Sequence, residues 1–190
     1  THRSAALAYA KSEDRMIDSS VTIAIAELNQ DEWKKFFNTP MQLSSSAFDH
    51  QGLIPSLYTC DGENISPPLT FVDVPESAVS LALIIQDPDV PKSIRPDGMW
   101  DHWVVWNIPP TCTGIEQGAP APGIVGLSTR GVNAYGGPAP PDGEHRYFFQ
   151  LYALDTKLDL PENSTKADLM AAMDGHILKR SEIIGRYTCK

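Results

Sequence analysis

The chain has 190 residues, 42% of them hydrophobic and 21% charged, which is typical of one folded domain with a substantial core. Its formal net charge of −9 argues against a nucleic-acid backbone as the main partner, because that role requires a clustered basic surface. No apolar run approaches the ~20 residues of a membrane-spanning helix, so no membrane span is predicted. A local anion site stays compatible with this negative net charge, since a few inward-pointing hydrogen-bond donors outweigh distant charges.

The first forty residues differ in character from the rest of the chain. A capping-box pattern at 29–32 precedes three aromatic residues spaced i, i+3 and i+4, which predicts a helix that ends before Pro40. We therefore expect an N-terminal helical arm over 1–40 that docks on its own domain or on a second subunit, and a main domain over 41–190. The three aromatic residues are Trp33, Phe36 and Phe37.

From residue 41 onward the sequence has the pattern of a β protein. Short runs rich in β-branched and aromatic residues alternate with loops that carry most of the 16 prolines and 13 glycines. This pattern predicts a mainly β fold, a two-sheet antiparallel sandwich, rather than alternating βα units. The predicted strands are 41–44, 69–72, 79–86, 100–108 and 146–154.

Helix is predicted to return only near the C-terminus. Leu169 and Met173 form an i, i+4 apolar pair within a helix over 166–174. We expect a second helical stretch over 176–182 and a closing strand over 183–187.

The chain has three cysteines, and their number and spacing bear on its compartment. Cys60, Cys112 and Cys189 are widely spaced and contain no C-x-x-C pair, which indicates reduced thiols rather than a disulfide framework or a zinc site. We therefore expect a cytoplasmic protein. A periplasmic or secreted location stays open if a signal peptide was removed before residue 1.

Strand alternation brings polar groups to apolar faces at three places. Asp87 follows the strand 79–86 on the face that carries its leucines, and His145 shares a face with Tyr147. In 100–108, the same alternation places His102 with Val104 and Trp106, and Asp101 and Trp103 on the opposite face. Three strands thus deliver Asp87, His102, and the pair of His145 and Tyr147 to one predicted site.

The glycine- and proline-rich loop 135–143 leads directly into His145. Glycines there would let backbone N–H groups approach a ligand, and the prolines would stiffen the loop. N–H donors beside two imidazoles and the hydroxyl of Tyr147 favour a phosphate or carboxylate, and Asp87 would orient and charge a histidine. Each feature alone also has an ordinary structural explanation as a core residue, a turn or a loop.

Three ordered motifs together resemble the phosphatidylethanolamine-binding protein (PEBP) family, in its bacterial and archaeal branch that is often labelled Raf-kinase-inhibitor-like. The resemblance covers 41–187, and its opening signature is similar to Tyr58-Thr59-Cys60-Asp61-Gly62 with Ser66-Pro67-Pro68-Leu69. The three motifs are Asp87-Pro88-Asp89-x-Pro91, Trp100-x-His102-Trp103 and Gly136-Gly137-x-x-Pro140-Pro141-x-Gly143-x-His145-Arg146-Tyr147.

This resemblance implies a small anion-binding pocket at one edge of the sandwich. It implies a phosphate-bearing small molecule, lipid head group or phosphorylated side chain as ligand, a regulatory role such as kinase or protease inhibition, and a homodimer. It implies no cofactor, resident metal or catalytic residue. The ligand-binding candidates are Asp87, Asp89, Trp100, His102, Gly136, Gly137, His145 and Tyr147. The alternative is an acid/base or metal-dependent enzyme that uses the same histidines and aspartates, although no H-E-x-x-H or G-x-S-x-G motif is present.

The sequence departs from the family pattern at two positions that matter. Ala139 stands where close relatives often carry a cysteine that pairs with the one matched by Cys60, so the resemblance implies that Cys60 lacks that partner. Asp101 stands where many animal members carry a second adjacent histidine, so the kinase-inhibitor biology of those members is not transferred.

Overall fold

The structure is a computed structural model that describes residues 40–190. The predicted helical arm, with Trp33, Phe36 and Phe37, lies outside the described residues apart from Pro40. That arm, and the division into 1–40 and 41–190, therefore stay predictions.

The described chain folds into two β-sheets with one α-helix, as the sequence pattern predicts. The smaller sheet has the order β1-β3-β6, and the larger sheet has the order β2-β9-β8-β4-β5-β7. All neighbours are antiparallel except β2 and β9, which are parallel. The elements are β1 (Gln42–Ser44), β2 (Gly52–Leu53), a 3-10 turn (Ser56–Tyr58), β3 (Leu69–Val72), β4 (Ser80–Asp87), β5 (Trp100–Ile108), β6 (Gly114–Ile115), β7 (Ile124–Val125), β8 (His145–Leu154), α1 (Lys166–Met173) and β9 (Ile177–Tyr187).

The main core lies between the two sheets. Alternate residues of β4 and β8, such as Leu83, Ile85 and Phe149, pack there against Leu43 and Phe71 of the smaller sheet. This inner face leads directly to the polar residues at the ends of the same strands. The apolar alternation that fills the core therefore also sets the direction in which the site residues point.

A second apolar cluster covers the outer face of the larger sheet. Ile84, Val104 and Trp106 pack there against Leu169 and Met173 of α1, which are both fully buried. The predicted i, i+4 pair is thus the contact surface of the helix. Because β4 is buried on both faces, its sequence is a nearly continuous apolar run.

The helix ends earlier than the sequence predicts. Thr165 caps α1 in a capping box with Asp168, and Gly175, at φ +77°, ends it. The predicted helical stretch over 176–182 is wrong, because β9 already runs from Ile177 and pairs with β8. Its first half is largely exposed and charged, so it lacks the apolar alternation by which a strand is recognised. No helix in the described part of the chain is both long and apolar enough to cross a membrane.

Candidate functional site

A β-bulge at His102 decides which way the site residues of β5 point. Ile85 of β4 pairs with Trp103, whereas the next residue, Gln86, pairs with Asp101, so His102 is the extra residue on β5. Beyond His102, the bulge exchanges the inward-facing and outward-facing positions of β5 relative to a regular strand. His102 therefore lies on the inner face, where its ring meets Tyr147 edge to face with centroids 5.3 Å apart.

The faces predicted for β5 are consequently wrong in part. Trp103 packs in the inter-sheet core, whereas Val104 and Trp106 pack on the outer face with α1. His102 does not share the face of Val104, because the bulged residue breaks the period of two. Asp101 does point away from the site, as predicted, and pairs with Lys166 of α1 at 2.5 Å.

His102 is a buried, neutral imidazole with one free nitrogen. Only 4% of the residue is exposed, and burial lowers its pKa to about 4. Its Nδ1 lies 2.6 Å from the carbonyl oxygen of Gly136, which can only accept, so Nδ1 carries the proton. Nε2 is then an unprotonated acceptor, and it has no partner among residues 40–190.

Tyr147 presents a second unsatisfied group beside His102. The residue is fully buried, and its hydroxyl likewise has no acceptor for its proton in the described chain, while the Ala139 backbone N–H near it slightly opposes the rise of its pKa. Burial, and then the negative charge of Asp87, raise the pKa of Tyr147, so the phenol stays neutral and able to donate. Leaving such a group unpaired costs roughly 1–3 kcal/mol, so buried polar atoms without partners are rare.

His145 is held as a cation by two carboxylates. Its Nδ1 lies 2.7 Å from Oδ2 of Asp87, and its Nε2 lies 3.1 Å from Oδ1 of Asp142. Since carboxylates only accept, both ring nitrogens donate. Burial disfavours the charge on His145, but these two hydrogen bonds outweigh it and raise the pKa of the imidazole. Asp87 thus charges and orients a histidine, and that histidine is His145.

The second aspartate of the Asp-Pro-Asp motif has a different role. Asp89 accepts hydrogen bonds from Nε and Nη2 of Arg146 at 2.8 and 2.7 Å, and from the Arg146 backbone N–H at 3.0 Å. Its own N–H donates to Asp87 Oδ1 at 2.8 Å. Asp89 therefore secures the turn and Arg146, and the structure does not join it to the pair of His102 and Tyr147.

Two glycines of the loop shape the site, and their N–H groups are bonded within the chain. The N–H of Gly136 donates to the carbonyl of His102, and the N–H of Gly137 donates to Asn64 Oδ1 at 2.7 Å. These two N–H groups are therefore not available to a ligand, whereas the predicted approach of the rest of the loop backbone to a ligand stays a prediction. Trp100 pairs with Asp87 across the strands and is half-buried at the start of β5, where it forms the rim beside Asp87.

Sequence reasoning missed Arg130. The exposed guanidinium of Arg130 lies within 4 Å of the position that a Gly136 side chain would take, and its charge helps to keep the pKa of His102 low. No ion pair of Arg130 is present in the part of the chain that the structure describes. The segment that carries Arg130 is attached to β5 by the hydrogen bond from the Asp101 N–H to Oγ1 of the preceding residue, Thr129, at 2.8 Å. No motif in the sequence marks this contact.

The family model of the phosphatidylethanolamine-binding protein matches residues 44–188. The chain belongs to the phosphatidylethanolamine-binding protein family. A UPF0098 protein of Chlamydia pneumoniae is 54% identical over 147 residues, which cover 77% of this chain and 98% of that protein. A UPF0098 protein of Methanothermobacter thermautotrophicus is 50% identical over 153 residues, with coverage of 77% and 98%.

Solved structures of PEBP homologues have the same fold. A PEBP homologue from Chlamydia trachomatis superposes with a TM-score of 0.78 at 48% identity, over 80% of this chain and 99% of that one. Escherichia coli YbcL, described as a member of the mammalian PEBP family, gives a TM-score of 0.72 at 30% identity, with coverage of 80% and 100%. The predicted fold and family are confirmed, whereas the kinase-inhibitor label stays a prediction.

A separate cleft lies beside the site of this PEBP homologue. Its volume is about 390 Å³, and it is lined by residues that include Trp103, Tyr135 and Asn64. None of the predicted ligand-binding residues contributes to its lining. The cleft and the buried pair of His102 and Tyr147 are therefore distinct features of the PEBP fold here.

The neutral state of His102 predicts a pH dependence of stability. Between pH 6.5, its ordinary pKa, and about pH 4, the unfolded chain binds a proton that the folded chain does not. The free energy of unfolding should therefore fall as the pH falls through this window, by about 3 kcal/mol in total from His102. Urea denaturation from pH 7 to pH 4 measures the effect.

A matched variant isolates this contribution from that of His145. Asn in His102→Asn can still donate to the Gly136 carbonyl but does not titrate, so the variant should lose less stability between pH 7 and pH 4 than the parent. His145, with its raised pKa, acts in the opposite direction, since its contribution is present at low pH and is lost as the pH rises through the folded pKa. Identical pH profiles for the parent and His102→Asn would contradict the assignment.

Proposed function

We propose that this PEBP-family protein binds a phosphate-bearing ligand at His102 and Tyr147. The ligand class is a small molecule, a lipid head group or a phosphorylated side chain. One observation carries the proposal: two neighbouring buried rings each keep a polar atom, His102 Nε2 and Tyr147 Oη, that has no partner in the described chain. A ligand that satisfies both atoms would remove the cost of leaving them unpaired.

The two atoms differ in hydrogen-bonding character, and this selects the ligand. His102 Nε2 accepts, whereas the Tyr147 hydroxyl donates. A phosphate group that retains one proton offers both complements, because its P–OH donates to His102 and a P–O⁻ oxygen accepts from Tyr147. Phosphate should therefore bind more tightly than sulfate near pH 6, since sulfate carries no proton to donate there.

Positive charge around the pair favours an anion. Arg130 lies beside Gly136, and the charges of both Arg130 and His145 act on His102. The charge of His145 is outweighed by the two carboxylates of Asp87 and Asp142, so Arg130 is the cation available to the ligand. The attraction of an anion to this site therefore depends on Arg130, despite the acidic net charge of the chain.

A binding role accords better with these contacts than acid/base catalysis by His145. Both ring nitrogens of His145 are bonded to carboxylates, so neither is available to a substrate without breaking a buried ion pair. We also propose that ligand binding at this site serves the regulation of a kinase or protease. A homodimer is a further proposal.

The test removes one hydroxyl and nothing else. Tyr147→Phe should weaken the binding of inorganic phosphate and of phosphorylethanolamine by roughly 10- to 100-fold, because a hydrogen bond to a charged group is worth about 1.5–3 kcal/mol. Calorimetry or NMR titration at pH 6 measures this loss, and sulfate serves as the unprotonated comparison anion.

Tyr152→Phe is the matched control. Tyr152 is also a buried tyrosine of β8, but it lies on the outer face, where its hydroxyl bonds to Gln150 at 3.1 Å. This variant should bind phosphate like the parent. Undiminished binding by both Tyr147→Phe and His102→Ala would reject the proposed site.

A further inference from the structure

Two cysteines that are distant in sequence lie side by side in the fold. The sulfurs of Cys60 and Cys189 are 3.1 Å apart, although 129 positions separate the residues. Cys60 follows the 3-10 turn, and Cys189 follows β9. The wide spacing in the sequence predicts reduced thiols rather than a disulfide framework. In the fold, however, β9 brings Cys189 next to Cys60.

A metal site is the competing interpretation of this cluster. Asp61 lies beside the two thiols, and the three residues form the one group of three close metal-ligating side chains within residues 40–190. However, Asp61 Oδ2 already accepts the Tyr187 hydroxyl at 2.5 Å and the Lys190 N–H at 3.0 Å. Two thiolates on one tetrahedral zinc would also stand about 3.8 Å apart, farther than these sulfurs are.

We propose that Cys60 and Cys189 form a reversible disulfide. The sulfurs need to approach by about 1 Å to reach the bonding distance of ~2.05 Å. With a small-molecule disulfide RSSR as oxidant, one thiolate displaces RS⁻ from RSSR, and the second thiolate then attacks the mixed disulfide. The Cys60–Cys189 bond forms, the S–S bond of RSSR breaks, and two RSH leave with the two thiol protons.

The Cys60–Cys189 disulfide would stabilise the 58–64 loop, which contacts the glycine-proline loop beside His102. The Cys60 N–H donates to the carbonyl of Pro138, and Asn64 accepts from Gly137, so the 58–64 loop supports the glycine-proline loop. A disulfide from Cys60 to Cys189 would connect the 58–64 loop covalently to the end of β9. The inference concerns only the two thiols and holds whether or not a phosphate binds at His102.

The reduced pair should react slowly at neutral pH. Loss of solvation by burial, then the hydrogen bond with the Cys189 thiol and the repulsion from a Cys189 thiolate, raise the pKa of Cys60. Since the thiolate is the attacking species, exchange should accelerate as the pH rises.

Oxidised glutathione tests the proposal directly. The parent protein is incubated with it at pH 8, quenched with N-ethylmaleimide under denaturing conditions and weighed by intact mass spectrometry. One alkylated cysteine, rather than three, is expected. The oxidised form should melt higher than the reduced form by on the order of 5–10 °C, since the closed loop is long, and dithiothreitol should reverse the shift.

Single serine variants provide the controls. Cys112→Ser removes a thiol that bonds elsewhere, to the Gly114 carbonyl at 3.0 Å, and should still show the oxidation-dependent melting shift. Cys60→Ser and Cys189→Ser should lose the shift and form only glutathione adducts. Three alkylated cysteines in the treated parent, or one retained zinc ion that protects both thiols in the reduced protein, would overturn the proposal.

Discussion

Gly137→Ala is expected to destabilise the protein by about 3 kcal/mol or more and to lower Tm by roughly 6–12 °C. A Cβ at Gly137 would overlap the carbonyl oxygen of Tyr58 and lie 2.6 Å from Asn64 Oδ1. The obstructing atoms are backbone and a hydrogen-bonded amide, which cannot yield without moving the 58–64 loop. Thermal unfolding followed by circular dichroism measures the shift.

The preceding glycine is the matched control. A Cβ at Gly136 would meet the guanidinium of Arg130 at 3.7 Å, an ordinary contact with the end of a flexible side chain. Gly136→Ala should therefore change the stability by less than about 1 kcal/mol. Equal melting temperatures for the two variants would show that the close approach at Gly137 does not exist.

Asp87→Ala is expected to cost about 3–5 kcal/mol at neutral pH. The side chains of Asp87 and His145 are both 3–4% exposed, and removing Asp87 leaves the buried imidazole with only Asp142, whose side chain is 68% exposed, as its partner. Urea denaturation measures the loss. In a double-mutant cycle with His145→Gln, a coupling energy above ~1 kcal/mol is expected, because the two side chains are in direct contact.

The other aspartate of the same motif is the control for Asp87. Asp89→Ala also removes a bidentate ion pair, but its partner Arg146 is 55% exposed and is readily hydrated. The cost should therefore be about 1 kcal/mol. Equal losses for the two variants would contradict the division of the Asp-Pro-Asp motif into one buried and one surface carboxylate.

Much of the fold could be predicted from the sequence because its signals are local. The strands around 69–72 and 100–108 carry their own apolar runs, and α1 has its capping residue and its apolar pair within ten residues. The start of β9 could not be recognised in this way. Its exposed, charged residues are strand only because β8 offers a row of backbone partners.

The candidate site was only partly predictable. Its members, including Asp87, His102, His145 and Tyr147, were found through their motifs and their positions at the ends of apolar strands. Their partners were not. Strand parity predicts the inner side for His102, where it lies, but it puts Val104 and Trp106 on the same face and Trp103 on the opposite one, which the bulge reverses. The N–H groups of Gly136 and Gly137 are bonded to His102 and Asn64.

The sequence by itself thus determined the β-sandwich, the family and a set of candidate site residues, because alternation, turns and motifs are properties of neighbouring residues. The tertiary structure alone decided which residues of β5 share the face of His102, the separate roles of Asp87 and Asp89, and the contacts of Arg130 and of Cys60 with Cys189. The physical reason is that a bulge exists only relative to the strand beside it. Contacts between distant positions likewise arise only when the sheets assemble.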